Sequence, residues 1–337
     1  MASLWPPLMD TPPDLSGKVI LVTGGTGSFG RAFVTRVLAQ HAPAKVIVFS
    51  RDEQKHYVMQ RELDDPRLRY FVGDIRDRSR LLRALRGVDI VVHAAAMKHV
   101  PLAEYNPIEA IRTNVDGAAN LIDAALERDV ETVIGLSTDK AASPVNLYGA
   151  TKLCMEKLLV AANSYSGSDG PKFKLVRYGN VVGSKGSVLP VFLQQRETGT
   201  LTLTDPTMTR FWIRMDQAID LVMLTLQDGR GGEVFVPKIP ACTVATLADA
   251  VAPTAAKQVI GIRPGEKIHE LMITTDESRN VLEYDRHFVI TPSFPWWGGP
   301  KREGKPVEPG YQFSSDIAEQ LDVPTVAAML REIGYSV

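Results

Sequence analysis

The chain has 337 residues, of which 45% are hydrophobic and 23% are charged. This balance excludes a mainly disordered chain, and the length favours about two domains. Its 38 basic and 39 acidic residues leave a net charge of −1, which excludes the strongly basic surface typical of nucleic-acid binding.

The first 17 residues predict an extended tail, because they contain four prolines and no periodic apolar pattern. They lack the basic start and continuous apolar run of a secretory signal. No apolar run elsewhere in the sequence approaches the roughly 18 residues of a membrane helix. We therefore expect a cytoplasmic protein with no membrane partner.

Residues 18–180 alternate short apolar strands with helices, as in a dinucleotide-binding domain. Strands are predicted at 18–25, 45–50, 69–74, 89–96 and 132–137, and helices at 28–40, 79–85 and 107–128. Apolar strands joined by helices are typical of parallel crossovers. The expected fold class is α/β, with a Rossmann-type doubly wound parallel sheet.

The pattern changes after residue 180. Loops lengthen, prolines recur, and the strand candidates at 201–205 and 233–237 are short. Helices are predicted at about 214–227 and 243–251. We expect 181–337 to form mainly a smaller, mixed substrate-binding domain, from which some segments return to the Rossmann domain.

A glycine-rich turn joins the first strand to the first helix. Glycines permit a tight turn and let backbone N–H groups approach a pyrophosphate, which the helix N-terminus also attracts. The strand before and the helix after it are the context of a dinucleotide site. The predicted cofactor contacts in this turn are Gly24, Thr26, Gly27, Ser28, Phe29 and Gly30.

The end of the second strand bears on the choice between NADP and NAD. NAD sites usually place an acidic residue there for the ribose 2′-hydroxyl. Here Ser50 and Arg51 come first and Lys55 follows, which suits a 2′-phosphate. Asp52 leaves NAD open as the alternative, but NADP is the expected cofactor. The predicted contacts are Ser50, Arg51, Asp52, Glu53, Gln54 and Lys55.

Two further groups of residues suggest acid–base chemistry. Tyr148 and Lys152 are four residues apart, so a helix places them on one face. A nearby ammonium lowers a tyrosine pKa, which makes Tyr148 a candidate base for an alcohol. Thr138, Asp139 and Lys140 close the fifth strand and add two titratable groups close to the expected cofactor.

In chain order, these motifs identify a resemblance. The sequence resembles the extended short-chain dehydrogenase/reductases and, within them, the UDP-N-acetylglucosamine 4,6-dehydratases (inverting). The matching segments run from about residue 18 to 275. They are TGGTGSFG, FSRDEQK, VGDIRD, HAAAMKHVPLAEYNP, STDKAASPVNLYGATK, RYGNVVGSKGSV, MTRFW, EVFVPKIP and GIRPGEKIHE.

The resemblance implies a reaction. NADP+ takes hydride from C4 of UDP-N-acetylglucosamine while Tyr148 accepts the hydroxyl proton and Lys152 positions the nicotinamide ribose. Lys140 then removes the C5 proton, and Asp139, in one triplet with Thr138, protonates the departing C6 hydroxyl. Hydride returns to C6, and C5 is reprotonated on the opposite face. The product is UDP-2-acetamido-2,6-dideoxy-β-L-arabino-hex-4-ulose, a first step to pseudaminic acid or a related surface sugar.

The resemblance also implies binding residues outside these motifs. The further cofactor contacts are Asp74, Ile75, Ala94, Ala95, Lys98 and Val181. The substrate contacts are Lys98, Asn180, Lys185, Thr200, Arg210, Arg263 and Glu266. Two of them, Arg210 and Arg263, are expected at the diphosphate. Glu266 is expected at the uridine ribose, and Thr200 on the strand that passes the uracil.

Other interpretations stay open. A nucleotide-sugar 4-epimerase of this superfamily needs only the Tyr148 and Lys152 pair, and retaining dehydratases commonly carry methionine in place of Tyr148. A non-catalytic NADP-sensing protein would have little need for these groups together. The two cysteines cannot form a structural zinc site, and no other metal-ligand spacing occurs, so no metal is expected. A homo-oligomer is the default assembly.

Overall fold

The computed structural model describes residues 7–167, 169–184, 187–294 and 302–337. Its strands are β1 (Val19–Thr23), β2 (Lys45–Ser50), β3 (Leu68–Val72), β4 (Ile90–His93), β5 (Thr132–Thr138), β6 (Lys172–Tyr178), β7 (Asn180–Val181), β8 (Thr200–Leu203), β9 (Thr209–Ile213), β10 (Val234–Pro237), β11 (Ala241–Thr243), β12 (Ala256–Val259), β13 (Leu271–Ile273), β14 (Val281–Glu283), β15 (His287–Ile290), β16 (Lys305–Pro306) and β17 (Phe313–Ser314). Its helices are α1 (Ser28–Gln40), α2 (Glu53–Glu62), α3 (Arg78–Ala84), α4 (Val100–Tyr105), α5 (Pro107–Ile111), α6 (Gly117–Glu127), α7 (Leu147–Tyr165), α8 (Val188–Arg196), α9 (Met215–Asp228), α10 (Val244–Val251) and α11 (Val323–Glu332).

A ten-stranded sheet has the order β16-β14-β15-β10-β6-β5-β4-β1-β2-β3. The strands from β3 to β10 in this order pair in parallel, and β15, β14 and β16 continue the sheet in antiparallel pairs. The part β3-β2-β1-β4-β5-β6 has the strand order of a doubly wound dinucleotide-binding sheet. The predicted α/β class with a Rossmann-type parallel sheet is therefore confirmed.

The parallel strands are apolar because helices cover both faces of the sheet. In β1, Ile20, Leu21 and Val22 are completely buried. Successive side chains of a strand point to opposite faces, so this burial requires packing on both sides. Burying each such side chain stabilises the fold by roughly 1.5–3 kcal/mol. The central strands therefore form a rigid platform whose carboxyl ends can position reactive groups.

Two predicted elements end differently in the structure. The first strand stops at Thr23, because Gly24 adopts a φ of +65°, which strand residues do not adopt. The helix predicted at 107–128 is divided into α5, a π-helical turn at Arg112–Asp116, and α6. Such turns are rare and often lie at functional sites.

A second layer lies beyond the large sheet. It contains the small sheets β11-β9-β7, β12-β8 and β13-β17. The helices α8, α10 and α11 surround a separate apolar cluster that includes Phe192, Trp212, Leu247 and Met329. After residue 180 the chain thus contributes both to this layer and, through β10 and β14 to β16, to the large sheet.

The N-terminal segment from residue 7 has no regular secondary structure, but it packs on the large sheet's core. Leu8 is 7% exposed and Leu15 is 2% exposed. The Pro7 carbonyl accepts a hydrogen bond from Arg286, 2.6 Å away. Among the described residues, no helix combines the length and apolar composition required to cross a bilayer.

Candidate active site

A cavity of about 1030 Å³ opens where the carboxyl ends of the parallel strands meet the second layer. Open α/β sheets bind ligands at this edge, at the point where the strand order reverses. Residues of the glycine-rich turn line one end of the cavity. Residues of α8, β9 and the 260–270 segment line its other walls. The cavity therefore offers room for a dinucleotide beside a second ligand.

The glycine-rich turn has no room for a side chain at Gly24 or Gly30. A Cβ on Gly24 would lie 2.8 Å from the Ala95 nitrogen, and a Cβ on Gly30 would lie 2.5 Å from the Gly25 Cα. Gly27 directly precedes α1, so the first free N–H groups of that helix face the cavity. The cradle fits a cofactor diphosphate. All six predicted residues of the turn line the cavity, namely Gly24, Thr26, Gly27, Ser28, Phe29 and Gly30.

At the end of β2, Ser50 and Arg51 line the cavity together with Asp52 and Lys55. The Ser50 hydroxyl lies 2.9 Å from the Thr26 hydroxyl and 2.9 Å from Nε2 of His56. Asp52 caps α2 by accepting from the Lys55 N–H, and its other oxygen lies 2.8 Å from Lys55 Nζ. The Asp52 carboxylate thus has two local partners.

The remaining cofactor predictions divide into two groups. Five of these residues line the cavity, namely Ile75, Ala94, Ala95, Lys98 and Val181. Three others lie outside its lining, namely Glu53, Gln54 and Asp74. The Asp74 carboxylate is 2.7 Å from Arg76 and 3.7 Å from Arg51, so it holds the Arg51 side chain near the cavity. Burial lowers the pKa of Lys98.

The Thr138-Asp139-Lys140 triplet is folded inward at the end of β5. Lys140 Nζ donates to Asp139 Oδ1 at 3.0 Å, and the Thr138 hydroxyl donates to the same oxygen at 2.8 Å. The Asp139 side chain is fully buried, whereas that of Lys140 is 23% exposed. Thr138 and Lys140 line the cavity, but Asp139 does not. The Thr138 hydroxyl and the Lys140 ammonium therefore connect the Asp139 carboxylate to the cavity, which the carboxylate itself does not line.

Helix α7 packs closely against this triplet. Asn146 caps the helix by accepting from the Gly149 N–H at 2.8 Å, and its amide donates to the Gly265 carbonyl. A Cβ on Gly149 would lie 2.1 Å from the Lys140 carbonyl oxygen. Glycine at this position therefore lets the helix approach the triplet and brings Tyr148 to the cavity, which Lys152 also lines.

The ionisation of Tyr148 differs from the expectation. Burial raises its pKa to about 12, and the Lys140 ammonium and a hydrogen bond with Thr138 oppose this increase. The helical spacing of Tyr148 and Lys152 predicts that Lys152 lowers the tyrosine pKa. Lys152 Nζ instead donates to Met155 Sδ at 3.0 Å, and burial lowers the Lys152 pKa to about 8 against the opposing charge of Glu156. The pKa of Tyr148 thus depends on Thr138 and Lys140 of the triplet rather than on Lys152.

A buried ion-pair network supports α7, and the sequence analysis did not identify it. Arg177, 1% exposed, donates to Glu156 at 2.6 Å and to Glu277 at 2.9 Å. Ser137 donates a short 2.5 Å hydrogen bond to Glu156. Removing one partner of a buried pair costs about 3–5 kcal/mol. This network fixes the helix of Tyr148 against the strand of the triplet.

Asn114, another residue missed from the sequence, lies in the π-helical turn. Its side-chain oxygen accepts from the Met97 N–H at 2.8 Å, and its amide donates to the Met97 carbonyl and to Thr151. It thereby ties the loop after β4, which lines the cavity, to α7. No sequence pattern that we recognise predicts such a turn.

Most of the predicted substrate residues line the cavity. Those that line the cavity are Lys98, Asn180, Arg210, Arg263 and Glu266. Arg263 is paired with Glu266 at 2.6 Å. Thr200 is outside the lining, but Thr202 and Thr204, further along the same alternating face, are part of it. Lys185 lies outside the described residues. Among those described, no cluster of three or more His, Cys, Asp or Glu could hold a metal.

The sheet order, the glycine cradle and the Tyr148–Lys152 pair beside it define a short-chain dehydrogenase/reductase. Two solved structures share the fold. Pen from Bacillus thuringiensis superposes with a TM-score of 0.88 at 35% identity, covering 95% of this chain and 98% of that one. A dTDP-glucose 4,6-dehydratase double mutant, DesIV from Streptomyces venezuelae with NAD bound, gives a TM-score of 0.65 at 27% identity, covering 74% and 86%.

Sequence comparison narrows this class. The family model described as polysaccharide biosynthesis protein matches residues 20–292. A UDP-N-acetylglucosamine 4,6-dehydratase (inverting) of Campylobacter jejuni is 48% identical over 89% of this chain and 92% of its own. A UDP-glucose 4-epimerase of Rickettsia felis is 42% identical over 81% and 82%. The chain belongs to this polysaccharide biosynthesis family, and the resemblance to its inverting 4,6-dehydratases is confirmed.

Proposed function

We propose that this protein is an inverting UDP-N-acetylglucosamine 4,6-dehydratase. The observation that carries this proposal is that Tyr148 and Lys140 line the same cavity as the glycine cradle, and that Lys140 is paired with the fully buried Asp139. An epimerase needs a base only at the C4 hydroxyl. A dehydratase must also move protons at C5 and C6, which requires further acid–base groups around the same sugar ring.

Oxidation at C4 is the first step of the proposed mechanism. NADP, when bound in the cradle, supplies a hydride acceptor for C4 and later a hydride donor for C6, so that no external reductant is consumed. Tyr148, as the tyrosinate, accepts the C4 hydroxyl proton and becomes the neutral phenol. The Lys140 ammonium and the Thr138 hydroxyl stabilise the tyrosinate that precedes this transfer. Lys152 would bind the nicotinamide ribose.

Water elimination follows, because the C4 ketone acidifies the C5 proton. The Lys140 ammonium first passes a proton to the Asp139 carboxylate, 3.0 Å away, which leaves a neutral amine and a carboxylic acid. The amine removes the C5 proton. The acid donates to the Thr138 oxygen, and the Thr138 hydroxyl, which lines the cavity, passes its own proton to the departing C6 hydroxyl. C5 is reprotonated on the opposite face, which gives the L-arabino configuration.

The remaining cavity walls accommodate the UDP part of the substrate. We assign the diphosphate to Arg210 and Arg263, because guanidinium groups bind phosphate oxygens in a planar, bidentate manner. Glu266 binds the uridine ribose, and Lys98 and Asn180 contact the sugar. The uracil lies beside Thr202 of β8 and Thr204, just after the strand, with Thr200 at the edge.

The DesIV structure holds NAD in this fold, and we infer that NADP is the cofactor here. Asp52 is engaged by the Lys55 N–H and ammonium, which leaves it less available for a ribose 2′-hydroxyl. Replacing Arg51 with alanine should weaken NADP binding about 10- to 100-fold, the usual contribution of a charged hydrogen bond, and change NAD binding less than about twofold. Titration calorimetry with both cofactors measures this. An equal loss for NADP and NAD would contradict the assignment.

The assembly and setting of the enzyme are also part of this proposal. Leu102, Tyr105, Ile108 and Ile111 form an exposed apolar patch on α4 and α5, with Tyr105 84% exposed. We infer that a second copy of the chain covers this patch, which the mass measured by light scattering checks. From the nucleotide-sugar substrate and the nicotinamide cofactor we infer that the reaction takes place in the cytoplasm, as a first step to pseudaminic acid or a related surface sugar.

Product analysis tests the proposed function. Incubated with UDP-N-acetylglucosamine and NADP, the protein should give a nucleotide sugar lighter by one water, with no net change in NADPH. Mass spectrometry and absorbance measure both quantities. An isomer of unchanged mass would identify the 4-epimerase alternative, and the absence of turnover would favour an NADP-sensing protein.

A further inference from the structure

Glu270 is a buried carboxylate that the proposed mechanism does not use. It ends the 261–270 segment, lines the cavity, and has a side chain that is only 4% exposed. Its backbone is fixed by Ser315, whose hydroxyl accepts from the Glu270 N–H at 2.8 Å and whose N–H donates to the Glu270 carbonyl at 2.9 Å. Burying a charge without partners costs free energy, so the role of the Glu270 carboxylate depends on the charged groups around it.

Three cations face this carboxylate. Oε1 lies 3.4 Å from Lys140 Nζ and 3.9 Å from Arg210 Nε, and Oε2 lies 3.9 Å from Lys267 Nζ. Arg210 donates to the Thr209 carbonyl and Lys267 donates to a backbone carbonyl at 2.6 Å, so both have other partners. Oε2 has no hydrogen-bond partner among the described residues. Lys140 is therefore the nearest cation to Glu270.

Lys140 lies between two carboxylates that come from different parts of the chain. Asp139 is adjacent in sequence, and Glu270 belongs to the second layer. Tyr148 on α7 and Arg210 on β9 also face the amine, with Lys267 further away. Burial alone would lower the pKa of Lys140, but the two carboxylates outweigh it and hold the pKa above the ordinary lysine range.

We propose that Glu270 is a positioning residue that holds the Lys140 amine at the sugar side of the cavity and controls how readily it loses its proton. Its role at C5 rests on the proposed function, because only a neutral amine can remove the C5 proton. Arg210, assigned to the diphosphate, approaches the same carboxylate oxygen. The Glu270 carboxylate thus lies close both to Lys140, the proposed base, and to Arg210, the residue assigned to the substrate's diphosphate.

Chemical labelling tests this proposal independently of turnover. The Lys140 peptide of the full-length protein is quantified by mass spectrometry after brief treatment with acetic anhydride across a pH series. Below the pKa, the labelling rate follows the neutral fraction. Removing one nearby anion lowers a lysine pKa by about one unit or more, so Glu270→Gln should be labelled at Lys140 about tenfold faster or more. An unchanged rate would overturn the proposal.

The pH profile gives the second readout. The Lys140–Asp139 pair acts only while it holds one proton, so activity falls as pH rises through the Lys140 pKa. Glu270→Gln lowers that pKa, so this falling limb of kcat/KM should move to lower pH. If labelling is faster but the limb of kcat/KM does not shift, Glu270 still controls the Lys140 proton, but Lys140 is not the base at C5. If the wild type makes no dehydrated product, the proposed function fails, and labelling still decides the role of Glu270.

A conservative variant separates charge from position. Glu270→Asp keeps the charge but shortens the side chain, so Lys140 labelling should stay within about twofold of wild type while kcat falls about tenfold or more at unchanged KM. An unchanged kcat would contradict the positioning role. This variant also serves if Glu270→Gln does not fold. Glu283→Gln is the matched control, because Glu283 pairs with Lys238 and Lys305 away from this cavity and should alter neither readout.

Discussion

Replacing Lys140 with alanine is expected to reduce the dehydration rate by about 10²–10⁴-fold, the usual contribution of a general acid–base group. The amine is assigned to the C5 proton, whereas oxidation at C4 depends on Tyr148. The variant should therefore still oxidise C4 and accumulate reduced cofactor with the 4-keto sugar. Rapid-mixing absorbance of the nicotinamide and product mass spectrometry measure the two steps separately.

The control for this variant is Lys238→Ala, which removes a lysine that is also paired with a carboxylate, 2.9 Å from Glu283. It should retain wild-type turnover. NADP binding should be close to normal in both variants, because neither lysine is assigned to the cofactor. Unchanged dehydration by Lys140→Ala would remove the lysine from the mechanism.

Tyr148→Phe should be equally impaired, by about 10²–10⁴-fold, but at an earlier step. Without the phenol, no group is placed to accept the C4 hydroxyl proton, so reduced cofactor should not accumulate. The same absorbance measurement distinguishes this variant from Lys140→Ala. Tyr165→Phe, an exposed tyrosine at the other end of α7, is the matched control.

The two variants together test the order of steps. If Tyr148→Phe accumulated reduced cofactor as Lys140→Ala is expected to do, another group would be the base at C4. Because the Lys140 ammonium opposes the increase in the Tyr148 pKa, Lys140→Ala should slow oxidation at C4 but not block it.

Local motifs predicted the framework of the site well. The glycine-rich turn lies where the strand and helix pattern placed it, since both elements are determined by short-range apolar periodicity. Parallel strands bring their carboxyl ends to one sheet edge, so Tyr148 and the triplet could be placed in one cavity from sequence order.

Side-chain directions and long-range partners were not predictable in this way. Asp139 lies outside the cavity lining, and the Lys152 amine turns along its own helix to Met155, and neither direction follows from the spacing of the motif. Lys140, the cation nearest to Glu270 in space, is 130 positions away from it in the sequence, so only the tertiary structure brings the two together. Thr200 is expected on the strand that passes the uracil, but it lies outside the cavity lining, whereas Thr202 and Thr204 are part of it.

Incubation with UDP-N-acetylglucosamine in deuterated water tests the central claim most directly, because it reports proton transfer at C5 and its stereochemistry together. We expect NMR to show a 6-deoxy-4-keto sugar with deuterium at C5 and the L-arabino configuration. A product with the original C5 configuration, or one that retains the C5 hydrogen and the C6 hydroxyl, would contradict the assignment of Tyr148, Asp139 and Lys140 to an inverting dehydration.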